Sequence, residues 1–324
     1  MARTALSIRA PAPGSRPFTI AAGLKRRFAP VAILSLSLAG VPATAWQRSS
    51  ETPESHRGVK TFVDMTVAEL VKQVPELKHL EPASGQDELP ALLKRVGATV
   101  ADFFDNFSNT TCIEHVASGV VRPGEAIGLR YDAKLNYVAL LKPGGDKTRL
   151  VEYRTDSKGN VVNLQSQQIL VTIGFVSMIA HFHPDFQADS RFRYLGREVL
   201  GGKDTYVIAF AQRLDVARHV SEVQIGNRHA TVFVEGVAWI DLVSFRILRL
   251  RTDIQPPELD IGVQTETTEI EYSEVTFQQG GKTLWLPRQV MVSGQLGRDI
   301  FRNRHRYSDY RFFLVETNQK QEAR

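Results

Sequence analysis

The stretch VAWIDLVSFRILRLRTDI, residues 237–254, contains two apolar runs separated by a short turn. In the first run every second residue from Val232 to Ile240 is apolar, as on one face of a strand. Asp241 begins the turn, where its carboxylate would accept hydrogen bonds from backbone N–H groups two residues on. Leucine alternates with arginine along the return run. The stretch predicts a β-hairpin in which Asp241 caps the turn and has no catalytic role.

Similar alternating runs continue along the chain from Thr110 onward. They are rich in Val, Ile, Tyr and Phe and are separated by turns rich in Gly, Asp and Asn. The runs are 135–142, 148–155, 204–213, 229–240, 246–253, 264–277, 283–293 and 301–315. This spacing predicts a mostly up-and-down antiparallel sheet, within one α+β domain of residues 61–316.

Two helices are predicted before the strands and one among them. Thr66 and Glu69 have the spacing of a capping box at the start of segment 65–74. In segment 87–107 apolar side chains recur at steps of three and four residues, so they form a stripe along one helical face. Segment 169–186 has a helical pattern in its middle. The second of these helices must cover its own core, a ligand cavity or a membrane.

The first 45 residues are typical of a secretory signal. They hold six basic and no acidic residues, an apolar core at 31–41, and the small-x-small tripeptide Ala43-Thr44-Ala45. We expect cleavage after Ala45 and export to the periplasm or cell envelope of a bacterium. Residues 46–60 are expected to form a flexible lead-in, and residues 317–324 a polar tail.

The basic charge of the whole chain belongs to this signal. The full sequence has 40 Lys and Arg against 35 Asp and Glu; without the first 45 residues, 34 basic and 35 acidic residues remain. A near-neutral mature chain removes the electrostatic argument for nucleic-acid binding.

A short motif in the opening hairpin resembles a known family. The piece WIDLVSFRILRL, with a strand ending in Trp-Ile-Asp and a return strand of apolar and arginine residues, resembles the hairpin of the bacterial lipoprotein-carrier superfamily of the LolA and LppX type. The order of elements, a signal peptide, an N-terminal helix and then antiparallel strands with an inserted helix, also agrees with that superfamily. The segments LWLPRQV (284–290) and HRYSDYRFF (305–313) resemble parts of secreted bacterial proteins that are similar to that group. The usual Asp-x-x-Thr turn is Asp-Leu-Val-Ser here.

The resemblance implies an incomplete barrel, a strongly curved antiparallel sheet with the N-terminal helices and one inserted helix packed on its concave side. It also implies a hydrophobic ligand, a lipid or the acyl chains of a lipoprotein, bound there without catalysis. Apolar walls would favour acyl burial by about 0.8 kcal/mol per CH₂. The side chains expected to line the cavity are Phe103, Phe104, Phe107, Phe175, Met178, Ile179 and Phe182. The same side chains would also serve to fill a closed core.

Two further sites are weaker candidates. His181, His183 and Asp185 in HFHPD would share a metal only in an extended segment, so no metal or other cofactor is expected. Arg302, Arg304 and Arg306 share one face of a strand and would contact an anionic headgroup, or form a solvated charge ladder opposite Glu269 and Glu271. The sequence has one cysteine, Cys112, which is expected to be a buried structural thiol.

No nucleophile motif, P-loop or metalloprotease motif is present, so an enzyme is not predicted. Two alternatives to a lipid binder stay open. One is a periplasmic sensor or interaction module that contacts an envelope protein, and the other is a metal-dependent or other hydrolase. A monomer with at most transient membrane contact is expected.

Overall fold

The computed structural model describes residues 8–9, 60–107, 110–121, 128–144, 147–162, 178–216, 221–225, 228–255, 262–277, 281, 283–312 and 314–315. The helices are α1 (Val67–Gln73) and α2 (Leu89–Phe107), with 3₁₀ helices at Pro75–His79, Met178–Phe182 and Gln187–Asp189. The strands are β1 (Ile8–Arg9), β2 (Glu81–Pro82), β3 (Thr110–Val121), β4 (Gly128–Gly144), β5 (Lys147–Thr155), β6 (Ser190–Leu200), β7 (Lys203–Gln212), β8 (Ser221–Ile225), β9 (Arg228–Val232), β10 (Val234–Asp241), β11 (Ile247–Ile254), β12 (Val263–Thr276), β13 (Thr283–Leu296), β14 (Asp299–Phe312) and β15 (Leu314–Val315).

One antiparallel sheet of eleven strands forms most of the described molecule. Its order is β2-β6-β7-β10-β11-β12-β13-β14-β3-β4-β5, and two small sheets pair β1 with β15 and β8 with β9. The edge strands β2 and β5 do not pair with each other, so the sheet is open. The predicted fold class, an α+β fold built on a curved, open antiparallel sheet, is confirmed. Hairpins link most neighbours, but β14 also pairs with β3, where Arg306 lies opposite His115.

The hairpin of β10 and β11 forms as its sequence predicts. Val237 pairs with Arg251 and Trp239 with Arg249, before a register shift next to Ile240. The Asp241 carboxylate accepts hydrogen bonds from the Ser244 N–H (2.7 Å) and hydroxyl (2.8 Å) and from the Val243 N–H (3.2 Å). Asp241 therefore caps the turn, because its acceptors satisfy N–H groups that no strand can pair.

Helix α2 covers one side of the sheet, which we call the inner face. Its buried side chains pack against apolar residues from β7, β10, β12 and β13 in the larger core cluster. The buried apolar side chains of this helix are Leu92, Val96, Val100, Phe103 and Phe107. They repeat the apolar stripe predicted for segment 87–107, so the amphipathic pattern is explained by burial against the sheet.

Helix α1 lies on the opposite side, the outer face, which corrects the expectation that both N-terminal helices share the concave side. The predicted capping box of Thr66 and Glu69 is present. Leu70 of α1 packs with Val237 and Trp239 in a second core cluster. The physical reason is that β10 is apolar on both faces, so its outer side chains also need cover.

The inserted helix is short where it is described. A 3₁₀ helix spans Met178–Phe182, and a turn through Pro184 follows, because a proline disfavours helical backbone in the residue before it. The rest of the segment, with Phe175, lies outside the described residues. The described residues also exclude the predicted signal peptide apart from Ile8–Arg9, the lead-in up to residue 59, and the tail. The domain boundaries therefore stay predictions. Among the described helices, none is long and apolar enough to cross a membrane.

Candidate functional site

Helix α2 is hydrogen-bonded to the turn between β10 and β11. The Thr99 hydroxyl lies 3.0 Å from the carbonyl oxygen of Phe245 and 2.9 Å from that of Val96. Phe245 has a φ of 58°, which is uncommon for a bulky residue, and its ring carries the Arg95 guanidinium 4.6 Å from the centroid. The turn that Asp241 caps thus presents Phe245 to the middle of α2.

A second set of hydrogen bonds joins α2 to the segment that contains the 3₁₀ helices Met178–Phe182 and Gln187–Asp189. The Gln187 side-chain amide donates to the carbonyls of Leu93 (2.9 Å) and Phe182 (2.8 Å). Gly97 permits the close approach, since a Cβ there would lie 2.7 Å from Gln187 Nε2 and 3.2 Å from the Phe182 oxygen. Apart from these hydrogen bonds, α2 is held mainly by apolar contacts with the inner face.

The residues predicted to line a cavity lie along this contact. Phe107 and Phe182 are buried in the inner core, and Phe107 stacks on Phe103 with centroids 4.9 Å apart. Phe104 is half-buried and meets the His183 ring edge-on. The remaining described members of the set, Met178 and Ile179, belong to the same inner core, at its margin and in its interior.

A cleft opens between α2 and strands β11 to β13. Its lining consists of Thr99, Val100, Asp102, Phe103, Ile179, Arg246, Ile247, Tyr272, Thr283, Leu284 and Trp285. The free space inside the cleft is about 40 Å³. A water molecule needs roughly 10–15 Å³ on this scale, so the cleft has room for a few waters and not for an acyl chain. Of the predicted lining, Phe103 and Ile179 reach this cleft.

Two polar groups in the cleft were not predicted from the sequence. The Tyr272 hydroxyl is buried and has no hydrogen-bond partner among the described residues. Burial raises the pKa of Tyr272 far above its usual value, so the group is a neutral phenol. The Arg246 guanidinium lies at the mouth, 5.9 Å from the centroid of the Trp285 ring. Two sequence signals could have identified these groups. Tyr272 lies at an inward position in the alternation of β12, and Arg246 follows Phe245 in the turn between β10 and β11.

A buried polar cluster crosses the other end of the inner face. The Glu114 carboxylate accepts from Arg154 Nε (2.5 Å) and Nη2 (3.0 Å) and from the Tyr307 hydroxyl (3.0 Å), and His305 Nδ1 lies 2.9 Å away. Glu114 and His305 are fully buried. Burial alone would raise the pKa of Glu114, but Arg154 and His305 outweigh it and lower the pKa to about 2. Glu114 is therefore ionised beside the Arg154 cation.

Cys112 lies beside this cluster on the same strand. Its side chain is 2% exposed in the inner core. Burial and the charge of Glu114 raise the pKa of the thiol well above its usual value. Such a thiol is unreactive while the core stays closed, in agreement with the structural role expected for it.

The metal candidates do not form a site. His181 is buried against the ring of Phe210, with centroids 5.0 Å apart, whereas the His183 Nδ1 accepts from the Asp185 N–H at 3.2 Å. Burial lowers the pKa of His183. Within the ranges that the structure describes, no group of three His, Cys, Asp or Glu side chains could hold a metal ion.

The three predicted arginines lie together on the outer face of β14. Arg302, Arg304 and Arg306 are exposed, and Asn303, His305 and Tyr307 alternate with them toward the interior. Across the neighbouring strands Arg302 faces Ser293 and Gly119, and Arg304 faces Met291 and Ala117.

The acidic counterpart expected for these arginines is wrong. Glu269 and Glu271 lie on β12, which β13 separates from β14. Glu269 pairs with Arg249 at 2.9 Å and Glu271 with Arg288 at 2.5 Å. Sequence alternation identified which residues share a face but could not identify the neighbouring strand.

This chain is similar to known proteins only at the level of structure. No family model matches the chain, and no curated protein matches it. Among solved structures, a DUF1329 family protein from Desulfovibrio piger is 10% identical, with 68% of this chain and 92% of that chain covered and a TM-score of 0.35.

Two further solved structures are similar to this chain. A LolA superfamily protein from Nitrosomonas europaea is 15% identical over 70% of this chain and 94% of that chain, with a TM-score of 0.31. The lipoprotein LppX of Mycobacterium tuberculosis is 14% identical over 71% and 99%, with a TM-score of 0.23.

Proposed function

We propose that the protein is exported to the bacterial envelope, where it binds and carries a hydrophobic, lipid-like molecule between α2 and the inner face of the sheet. The observation that carries this proposal is the cover of the inner face. A broad apolar surface from β7 to β13 is closed by one amphipathic helix, and a cleft already opens along the edge of that helix. The proposal assigns the protein no chemical reaction.

Ligand entry requires α2 to move away from the sheet. The cleft is too small for an acyl chain, so the chain would replace side chains of α2 such as Phe103 and Phe107 against the inner face. Each CH₂ buried there contributes about 0.8 kcal/mol, which offsets the contacts that α2 loses. The hydrogen bond from Thr99 to the Phe245 carbonyl is one polar restraint on this motion, and the bond from the Gln187 amide to the Leu93 carbonyl is another.

The surface of the described residues supports an internal ligand over a partner docked on an apolar patch. The large apolar side chains exposed there lie near strand ends and turns: Val161, Val199, Val216 and Val243. A carrier hides its apolar area inside, whereas an interaction module exposes it.

We also infer that the arginines of β14 contact anionic headgroups at the membrane. Arg302 and Arg304 make no ion pair with another described residue, and their cross-strand neighbours are uncharged. A row of cations on one strand face suits a negatively charged surface, to which each contributes about 1 kcal/mol.

Native mass spectrometry of the mature protein, purified from the envelope without detergent, tests the main proposal. We expect a reproducible adduct that extracts into organic solvent as a lipid, or uptake of an added lipophilic dye. A bare mass together with no dye uptake would overturn the proposal, because the inner face would then be closed on its own side chains.

Cys112 gives a second readout, for the motion of α2. We expect Thr99→Val to increase the rate at which a thiol reagent labels Cys112, and the added lipophilic dye to slow it. The control Thr276→Val removes a hydroxyl contact of 3.1 Å between β12 and β13 without touching α2. Equal labelling rates in both variants, with no effect of the dye, would contradict the entry route.

A further inference from the structure

The Tyr272 hydroxyl has no structural explanation within the described chain. The side chain is 7% exposed and lines the cleft, yet its oxygen has no hydrogen-bond partner among the described residues. A buried hydroxyl without a partner destabilises a fold, so such groups are few and are commonly completed by water or a ligand. The cleft beside it has about 40 Å³ of free space, which suffices for a polar atom.

A cation stands at the mouth of the same cleft. Arg246 is half-buried, and its guanidinium makes no hydrogen bond or ion pair with any residue that the structure describes. Lys203 lies on the same aromatic ring, with Nζ 5.4 Å from the Trp285 centroid. Trp285 is itself fixed, because its indole N–H donates to the Ile247 carbonyl at 2.8 Å. The indole ring thus holds two cations beside the opening.

The acidic groups nearby are already engaged. Asp102 lines the cleft but has an interaction partner of its own. Asp241 is occupied by the N–H and hydroxyl groups of its own turn, within the field of Lys203. The uncommitted charge at the mouth is therefore positive.

We propose that the cleft binds the polar end of an anionic amphiphile, a carboxylate or phosphate attached to an acyl chain. Arg246 pairs with the negative group at the mouth, and the Tyr272 hydroxyl donates a hydrogen bond to an oxygen deeper in the cleft. The acyl chain continues past Phe103 and Leu284 under α2. This inference rests on the proposed function and adds the chemical class of the ligand.

The anionic group explains why polar atoms interrupt an apolar lining at this place. Pockets for apolar ligands have a few polar groups that fix the orientation of the ligand. A charge-assisted hydrogen bond inside the cleft has about twice the strength of a neutral one. An amphiphile without the charged group would bury the same chain and leave Arg246 and Tyr272 unsatisfied.

The test compares three ligands that share one eighteen-carbon hydrocarbon tail and differ in the polar group: oleate, oleoyl lysophosphatidate and oleyl alcohol. Each is used below its aggregation concentration. The purified mature protein is expected to bind at least one of the two anions about tenfold or more tightly than the alcohol. Whichever anion binds more tightly identifies the carboxylate or the phosphate as the preferred group.

Three variants in the cleft and one control elsewhere assign the preference to the cleft. Arg246→Gln should reduce the preference to about twofold and leave the alcohol affinity unchanged, and Arg246→Lys should retain most of it. Tyr272→Phe should weaken anion binding several-fold. Arg298→Gln removes the same charge from the exposed turn between β13 and β14 and should change nothing.

The outcomes separate this inference from the proposed function. If all three ligands bind equally, or if Arg246→Gln and Arg298→Gln behave alike, the assignment of an anionic group to this cleft is wrong while lipid binding stands. If none of the three binds, the proposed function fails as well. Circular dichroism of each variant confirms that a loss of binding is not a loss of fold.

Discussion

The Arg154 guanidinium holds the Glu114 carboxylate at two points inside the protein, with Nε 2.5 Å from Oε2 and Nη2 3.0 Å from Oε1. Arg154 is 5% exposed and Glu114 is fully buried. The two residues stand on β5 and β3, with β4 between them. Tyr137 of that central strand lies under the guanidinium, with Cζ 5.2 Å from the ring centroid.

We therefore expect Glu114→Gln to lower the free energy of unfolding by about 3–5 kcal/mol, because the Arg154 charge stays buried without its counter-charge. Urea denaturation at pH 7 measures the change. The control is Glu271→Gln, which breaks an ion pair with Arg288 whose side chain is 64% exposed. That change should cost less than about 1 kcal/mol. Equal losses in the two variants would contradict the account of the buried pair.

Glu114 also makes stability depend on acid. Its pKa falls from the usual 4.5 to about 2 in the folded protein, so the unfolded chain binds the proton more readily. The stabilisation is thus fully present above about pH 4.5 and is lost as the pH falls toward 2. In Glu114→Gln the fall in stability across that window should be smaller than in the unmodified protein.

Glu235 should have the opposite pH dependence. Burial raises its pKa to about 8, although the Phe62 N–H donates to its Oε2 at 2.7 Å. The folded protein binds this proton more readily than the unfolded chain, so stability is highest below about pH 4.5 and falls as the pH rises to 8. The loss over this range is on the order of 5 kcal/mol.

Denaturation midpoints between pH 5 and 8.5 check this expectation. Glu235→Gln should flatten the decline, because the amide has no proton to lose and still accepts from Phe62. The exposed Glu274→Gln should retain the decline of the unmodified protein. A decline that persists unchanged in Glu235→Gln would assign it to another group.

Two buried tyrosines of the inner face should respond oppositely to loss of the hydroxyl. Tyr272→Phe removes a group without a partner in the described chain, so stability should be unchanged or higher by up to about 1 kcal/mol. Tyr307→Phe removes a donor 3.0 Å from Glu114 and should destabilise by about 1.5–3 kcal/mol. Thermal melts of both variants without ligand measure the difference, and a clear loss in Tyr272→Phe would mean that its hydroxyl is satisfied.

The arginine row should affect membrane binding and leave ligand binding intact. Replacement of Arg302, Arg304 and Arg306 by Gln removes about 3 kcal/mol of attraction to anionic vesicles, roughly a hundredfold in partition at low salt. Vesicle co-sedimentation at two salt concentrations measures it. The control replaces three exposed lysines elsewhere: Lys72, Lys78 and Lys94. Equal losses in both triple variants would show a general charge effect and no docking face.

Much of the fold was predictable because its signals are local. The period of apolar residues predicted α2 and the strands, and the capping box predicted the start of α1. Alternation along β14 predicted that its arginines share one face. By the same alternation His305 and Tyr307 face inward, although their role in the cluster around Glu114 was missed.

The candidate site was less predictable, because it depends on which strands are neighbours. The pairing of β14 with β3 brings His305 to Glu114 across 191 positions of the chain. No local pattern encodes that pairing, and the same is true of the Thr99 contact with Phe245. The cleft likewise joins residues of α2, β11, β12 and β13.

The sequence by itself determined the antiparallel hairpins, the amphipathic helix and the alternation of buried and exposed side chains, because these follow from residues a few positions apart. Only the tertiary structure decided that α1 covers the outer face, that Glu114 meets Arg154, and that Tyr272 and Arg246 share one cleft. Those relationships follow from strand order and packing, in which residues far apart in the chain compete for the same partners.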